Sequence, residues 1–419
     1  MNNHATRFSK RWWRGAFSLL TLVFALTLSA CVQNTTQGTS TSNGPIKIGI
    51  SLSLTGDASG DGQSLQQGYQ LWQDYINAKG GLMGHKVQLV IYDDATRPEQ
   101  ARVNYEKLIT VDKAQFLFGP FDDAFTVNGA QVANKYGYIF LQGTGTSPQD
   151  FQHNLPNMFC VSLTSSHYMS SLVNFILSMP QSMRPKTVAY STSDNQFTSS
   201  QVSPLIKTQL SQGGLKTVLD QTYPQENTDL NPLAQKVVNS GADVVLMGTD
   251  TMANAVAYVT YFAKQHYNPK LLLFTSGPDQ GAQFTQALGK VSPEGIMIPN
   301  NGWWPTVKTF QNDYFVPAFI KKFGGDASGI GSDAVQAFSI GQTLEQAVNA
   351  THSLDNAALQ KYMHSAVVFQ TLQGPVKFGP DGQNLLALAY LFQWQKGQLI
   401  PVYPQNQAQA NVQYPKASW

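Results

Sequence analysis

From Ile46 onward, apolar and polar positions follow two alternating rhythms. Ile46, Ile48 and Ile50 alternate with Lys47 and Gly49, and Leu52 and Leu54 alternate with Ser51 and Ser53. A period of two predicts a strand. After a loop of Gly, Asp and Ser (residues 55–62), Leu65, Tyr69, Trp72 and Ile76 fall on one face of a helix, which Gly80-Gly81 stops. The alternation continues with a strand over Val87–Tyr92, a helix over Glu99–Val111 and a strand at Phe116–Phe118. A helix from about Ala124 to Lys135 and a strand at Tyr138–Leu141 follow.

The pattern then restarts. Thr187–Tyr190, Asp243–Met247 and Leu271–Phe274 read as apolar strands, separated by helical stretches near 199–212, 229–240 and 251–265. Residues 306–323 and 332–350 read as helices, Val335, Phe338, Leu344 and Val348 sharing one face. Asp381-Gly382 and Lys396-Gly397 mark turns in a β-rich tail. Strand–helix alternation with short loops means βαβ units on parallel sheets, and the restart means two such α/β lobes.

Ahead of this body the chain has a different character. Arg7, Lys10, Arg11 and Arg14 form a basic head, an apolar run extends from Ala16 to Leu28, and Leu28-Ser29-Ala30-Cys31 closes it. That order is the layout of a secretory signal peptide, and the run is shorter than the ~20 residues a membrane span requires. The Leu-Ser-Ala-Cys ending resembles a bacterial lipobox, which implies lipidation of Cys31 as the mature N-terminus. Residues 32–45, uncharged and nearly devoid of apolar side chains, read as a flexible tether.

Net charge is +2, concentrated in the leader, which gives no ground for nucleic-acid binding. Charged residues make up only 12%, so amides and hydroxyls must cover the surface. With Cys31 lipidated, Cys160 has no partner, and its setting in Met158-Phe159-Cys160-Val161 predicts a buried, inert thiol. The sequence contains no Gly-x-Ser-x-Gly elbow, Walker A loop, His-Glu-x-x-His or Cys-x-x-Cys, and its seven histidines lie apart from metal-ligand spacing. Carboxylates pair as Asp93-Asp94 and Asp122-Asp123 at the carboxyl ends of predicted strands, where open α/β sheets bind ligands and where Asp also caps helices. Trp303-Trp304 suits either a ligand-stacking rim or hinge packing.

Several of these segments together resemble the solute-binding proteins of branched-chain amino-acid (Leu/Ile/Val-binding) ABC importers. They are Ile46-Lys47-Ile48-Gly49-Ile50 with Leu54-Thr55-Gly56, the helix end Ile76 to Gly84, Tyr92-Asp93-Asp94, Phe118-Gly119-Pro120, Ser276-Gly277-Pro278, Pro293-Glu294-Gly295 and Leu372 to Phe378. The resemblance covers about residues 46–400. It implies the type I periplasmic-binding-protein fold: two Rossmann-like lobes with parallel central sheets, joined by a three-crossing hinge. The expected division is 1–30 signal peptide, 31–45 tether, 46–161 with 298–372 as lobe one, 162–297 with 373–403 as lobe two, and 404–419 a tail.

The resemblance also implies a pocket. Asp61 falls where the first loop presents a side chain, and Asp123 where the family usually has a carboxylate-binding Ser. Thr144, Gly145 and Thr146 fall where a backbone carbonyl and a Thr hydroxyl are offered, and Phe197 where an aromatic covers the ligand. Asp250 lies in the matching loop of lobe two, and Asp279 near the acidic residue that pairs with an α-amino group. The family's early disulfide is absent, Thr96 and Asp122 standing at those positions. Four aspartates in one cleft favour an amine, amide or polyol over a plain branched-chain amino acid.

The expectation is therefore a non-enzymatic, monomeric, lipid-anchored receptor outside the cytoplasm, without cofactor or metal. It captures an amino acid or related small polar metabolite (amino acid, amide, amine or polyol) by closure of its two lobes and delivers it to an ABC permease. A sensing module for a signalling partner and a lipoprotein hydrolase using the aspartates as acid and base are the rivals.

Overall fold

The computed structural model describes residues 44–225, 229–300 and 302–419. The expected signal peptide, Cys31 and most of the expected tether lie outside the described residues.

The first sheet contains β1 (Ile46–Leu52), β2 (Val87–Asp93), β3 (Phe116–Phe118), β4 (Phe140–Gln142) and β5 (Met158–Cys160), in the order β2-β1-β3-β4-β5. Every pairing is parallel, as βαβ connections require. Two helices of twenty residues, Ser59–Ala78 and Ser332–Thr351, pack together against it. Their approach is close enough that a Cβ on Gly341 would stand 2.2 Å from the Trp72 indole, and one on Gly68 would stand 2.1 Å from the Ala334 carbonyl oxygen.

The second sheet is built from β6 (Thr187–Ser193), β7 (Lys216–Tyr223), β8 (Val244–Gly248), β9 (Leu271–Phe274) and β10 (Ile296–Asn300). The chain next makes a hairpin of β11 (Phe369–Thr371) and β12 (Gly374–Val376), then returns with β13 (Tyr390–Gln395) and β14 (Gln398–Tyr403). The order is β14-β13-β10-β9-β8-β6-β7, with β13 and β14 antiparallel. Lys396-Gly397 is the two-residue turn between them, both residues having positive φ as a primed hairpin turn demands.

The chain passes between the sheets after β5, after β10 and after β12. Two of these passages come later than the sequence suggested. Ile298–Asn300 pair with β13 in the second sheet. Leu372, Val376 and Phe378 are buried in the first core.

Other differences are local. Residues 306–311 are not helical; the helix is Asn312–Phe323, and the Asn312 amide ties the preceding loop by donating to Pro305 and Val307 carbonyls at 2.9 Å each. The stretch 199–212 is two helices, Gln196–Gln201 and Pro204–Gln212, because Pro204 has no N–H and takes the first helical position. Strand β7 escaped the hydrophobic pattern because it is a polar sheet edge, largely open to solvent.

Trp303 is packed in the first core, its Nε1 donating to Asn312 at 2.8 Å. Trp304 packs on Tyr390 and Phe392 of the second lobe. The tryptophan pair is hinge packing. Cys160 is buried, and burial pushes its thiol up to about 12. Among the described residues, no helix is long and apolar enough to cross a membrane.

Candidate functional site

The loops leaving β3, β4, β8 and β9 meet between the lobes, at the carboxyl ends of those strands, where open α/β sheets bind ligands. They enclose a cavity of about 40 Å³, room for a few water-sized groups. Thr144, Thr146, Phe197, Asp250 and Asp279 line it. So do residues that the sequence reading did not select, Asp122, Tyr168, Gln280, Asp333 and Gln336 among them.

The lobes touch around this cavity. The Ser332 hydroxyl donates to Asp279, and the Gln280 amide donates to Asp333 at 2.8 Å. On another side the segment that crosses over after β5 meets the second lobe: the Tyr168 and Phe197 rings pack edge to face, centroids 6.0 Å apart, and the Ser165 and Ser200 hydroxyls bond to each other.

Asp122, whose carboxylate also caps the helix Asp123–Lys135 by accepting from Ala124, lies within the fields of Asp123 and Asp250. Asp61 lies within the fields of Asp333, Asp279 and Asp250, so Asp250 links the carboxyls into one acidic cluster. Asp61 stands behind the lining, 1% exposed, with both oxygens lacking a hydrogen-bond partner. Burial is the main cause that raises all five carboxyls above the ordinary carboxylate range, and neighbouring negative charge adds to it for Asp61, Asp122 and Asp333. Among the described residues, no Lys, Arg or His lines the cavity.

Asp123, expected to face the ligand, is turned under the loop after β4. Its carboxylate accepts from the Thr146 and Ser147 amides at 2.8 and 3.2 Å and from the Ser147 hydroxyl. Asp150, beside it, is pushed up to about 10 by burial and by Asp123, so this pair holds a proton at neutral pH. Gly145 likewise faces inward: its amide and carbonyl bond the Gln142 side chain at 2.8 Å each, and a Cβ there would lie 2.4 Å from Thr126. Thr144 lines the cavity, but its hydroxyl donates to the Pro120 carbonyl at 2.6 Å. The Thr146 hydroxyl is left without a partner. Asp93 and Asp94 are structural: they accept from Thr55, Leu54, Ala95, Ser51 and Ser53, holding the first loop.

Asp333 was hidden from sequence reasoning because an acidic residue in the first turn of a helix is routine capping chemistry. Asp122 was passed over in favour of its neighbour.

Two α/β lobes, crossed three times by the chain and closing on a polar cavity, define a bilobal solute-binding receptor. The chain belongs to the periplasmic binding protein family, whose model matches residues 45–398. It is a binding protein and not an enzyme. It is 25% identical over 394 residues to a Leu/Ile/Val-binding protein homolog of Brucella melitensis, covering 90% of this chain and 96% of that one. Among solved structures it resembles the branched-chain amino acid substrate-binding protein LivJ of Streptococcus pneumoniae, in complex with isoleucine. That match has a TM-score of 0.72 at 20% identity, over 85% of this chain and 97% of LivJ. A solute-binding protein of an ABC transporter from R. palustris, in complex with benzoate, matches with a TM-score of 0.74 at 19% identity, over 90% and 98% of the two chains.

Proposed function

We propose that the protein is a lipid-anchored receptor outside the cytoplasm that captures a small polar solute between its lobes and presents the closed form to an ABC permease. The observation that carries this reading is the inter-lobe cavity, lined from both lobes by polar side chains with unspent hydrogen-bonding capacity. Contacts made to both lobes at once stabilise closure, and closure is the signal a permease can read. The neighbours were solved with isoleucine and benzoate, both carboxylates. The acidic lining favours a solute that brings ammonium, amide or hydroxyl donors to it, the ammonium of an amino acid included.

The test is direct. Full-length protein purified without added solute is denatured, and the released small molecules are identified by mass spectrometry. A stoichiometric polar metabolite is expected; protein that releases nothing, and whose melting temperature no amine, amide, amino acid or sugar raises, refutes a receptor role. Anchoring is tested separately: wild type should carry lipid and partition with membranes, and Cys31→Ala should do neither.

A further inference from the structure

The helix Ser332–Thr351 of the first lobe starts without a cap of its own. The residue before it is Gly331, which has no side chain to accept from the first-turn amides, and those amides have no intrahelical acceptor. The acceptor comes from the other lobe. The Ser332 amide donates to the Asp279 carbonyl at 3.2 Å, and the Ser332 hydroxyl donates to the Asp279 carboxylate. Asp333, in the same turn, accepts from the Gln280 side-chain amide at 2.8 Å.

The turn that offers these groups is fixed to the second lobe. Trp394 on β13 donates its indole N–H to the Pro278 carbonyl at 2.9 Å, the Thr249 hydroxyl donates to the Ser276 carbonyl at 2.9 Å, and the Gln280 backbone amide closes the turn onto Gly277 at 3.1 Å. Each oxygen of the Asp279 carboxylate already accepts from the protein, one from the Gly277 amide at 3.1 Å and the other from Ser332. This is the residue that the family resemblance offered as partner to a ligand's α-amino group. Glycines let the two backbones meet beside it. A Cβ on Gly281 would stand 2.7 Å from the Gly329 carbonyl, and one on Gly329 would stand 2.8 Å from the Ala282 Cβ. The Gly329 φ lies outside the left-handed region, so a methyl there would meet the second lobe and no backbone strain of its own.

We infer that Asp279 and Gln280 are closure residues. The second lobe caps the helix Ser332–Thr351 of the first, and the closed form carries a latch made of protein groups alone. The latch goes beyond the receptor reading and does not depend on which solute the cleft takes. Its effect on affinity is the same for every solute, because apparent affinity scales with the closed fraction.

The test is residue-resolved hydrogen exchange on the full-length protein, dialysed free of solute. With the lobes apart, the Ser332 amide has only water as acceptor and exchanges freely; with the latch made, it is protected. In wild type it should exchange at least ten-fold more slowly than in Gly329→Ala, whose methyl wedges against Ala282. Gln280→Ala, which cannot clash, should speed the same amide about three-fold or more, the loss of one hydrogen bond. Unchanged protection of the β1 and β9 amides checks that each variant is folded, and where Gly329→Ala fails that check Gln280→Ala decides. A Ser332 amide that is unprotected in wild type, or equally protected in the folded variants, overturns the latch. Either result leaves the receptor role standing, since that role is tested by solute release and not by exchange.

Discussion

Thr146 and Asp123 divide the labour of one short loop. Asp123 fixes the backbone at Thr146 and Ser147 from below, and the Thr146 hydroxyl is left facing the cavity without a partner. Thr146→Ala should leave folding intact and cost about 1–3 kcal/mol of ligand affinity, the range for an unmade buried hydrogen bond; unchanged calorimetric affinity would remove Thr146 from the site. Asp123→Asn should destabilise the protein by a similar ~1–3 kcal/mol, because an amide NH2 would confront the Ser147 donors; the denaturant midpoint reports it. Asp150→Asn should act in the opposite direction. Asp150 titrates near 10 in the folded protein and near 4 unfolded, so the folded state holds a proton that the unfolded state has lost. Wild-type stability contributed by this group is present below about pH 4 and lost as pH rises toward 10. Asn is neutral throughout, so the variant's advantage should grow from pH 5 to pH 8, by up to about 1.4 kcal/mol per pH unit. A pH-independent difference in urea midpoint would show that Asp150 is not the proton carrier.

At the scale of elements, the two twenty-residue helices lie side by side, offset so that the first turn of the second meets the third turn of the first. Gly68 faces Ala334 and Trp72 faces Gly341, so the helices run parallel and deliver Asp61 and Asp333 to the same end. Gly341→Ala would drive a methyl into the Trp72 indole and should cost about 1–3 kcal/mol by overpacking, read as a lowered urea midpoint. Ligand affinity should fall with it, since separated helices carry the two aspartates apart; a variant as stable as wild type would show that the contact yields easily. This pairing also marks what the chain reveals unaided. Each helix is visible as an apolar face in the sequence, and the strands β1, β3 and β9 are visible as apolar runs, because local period determines them. That Asp61 neighbours Asp333 is a tertiary fact joining the two ends of the body, and no local pattern encodes it. The same holds for Asp123: adjacent carboxylates at a strand end look alike in sequence, and only the fold of the loop after β4 decides which one faces the cavity.

For the whole molecule, the acidic cleft ties stability, binding and pH together. Asp61, Asp122, Asp250, Asp279 and Asp333 are all raised in the folded, ligand-free protein, chiefly by burial. A raised folded pKa means stability that is complete below the ordinary carboxylate range, near pH 4, and is lost as pH climbs toward the folded values. The ligand-free receptor should therefore melt at progressively lower temperature from pH 5 to pH 8. A ligand that brings positive charge reverses the preference, because it favours the ionised carboxylates that the empty cleft disfavours. Binding must then expel protons, and affinity must rise with pH over the same window in which the free protein loses stability. Calorimetry in two buffers of different ionisation enthalpy measures the released protons, and at least one per ligand is expected at pH 6. Equal apparent enthalpies in the two buffers would mean that the cleft aspartates are already ionised before the ligand arrives, and that their burial is relieved by something other than the ligand's charge.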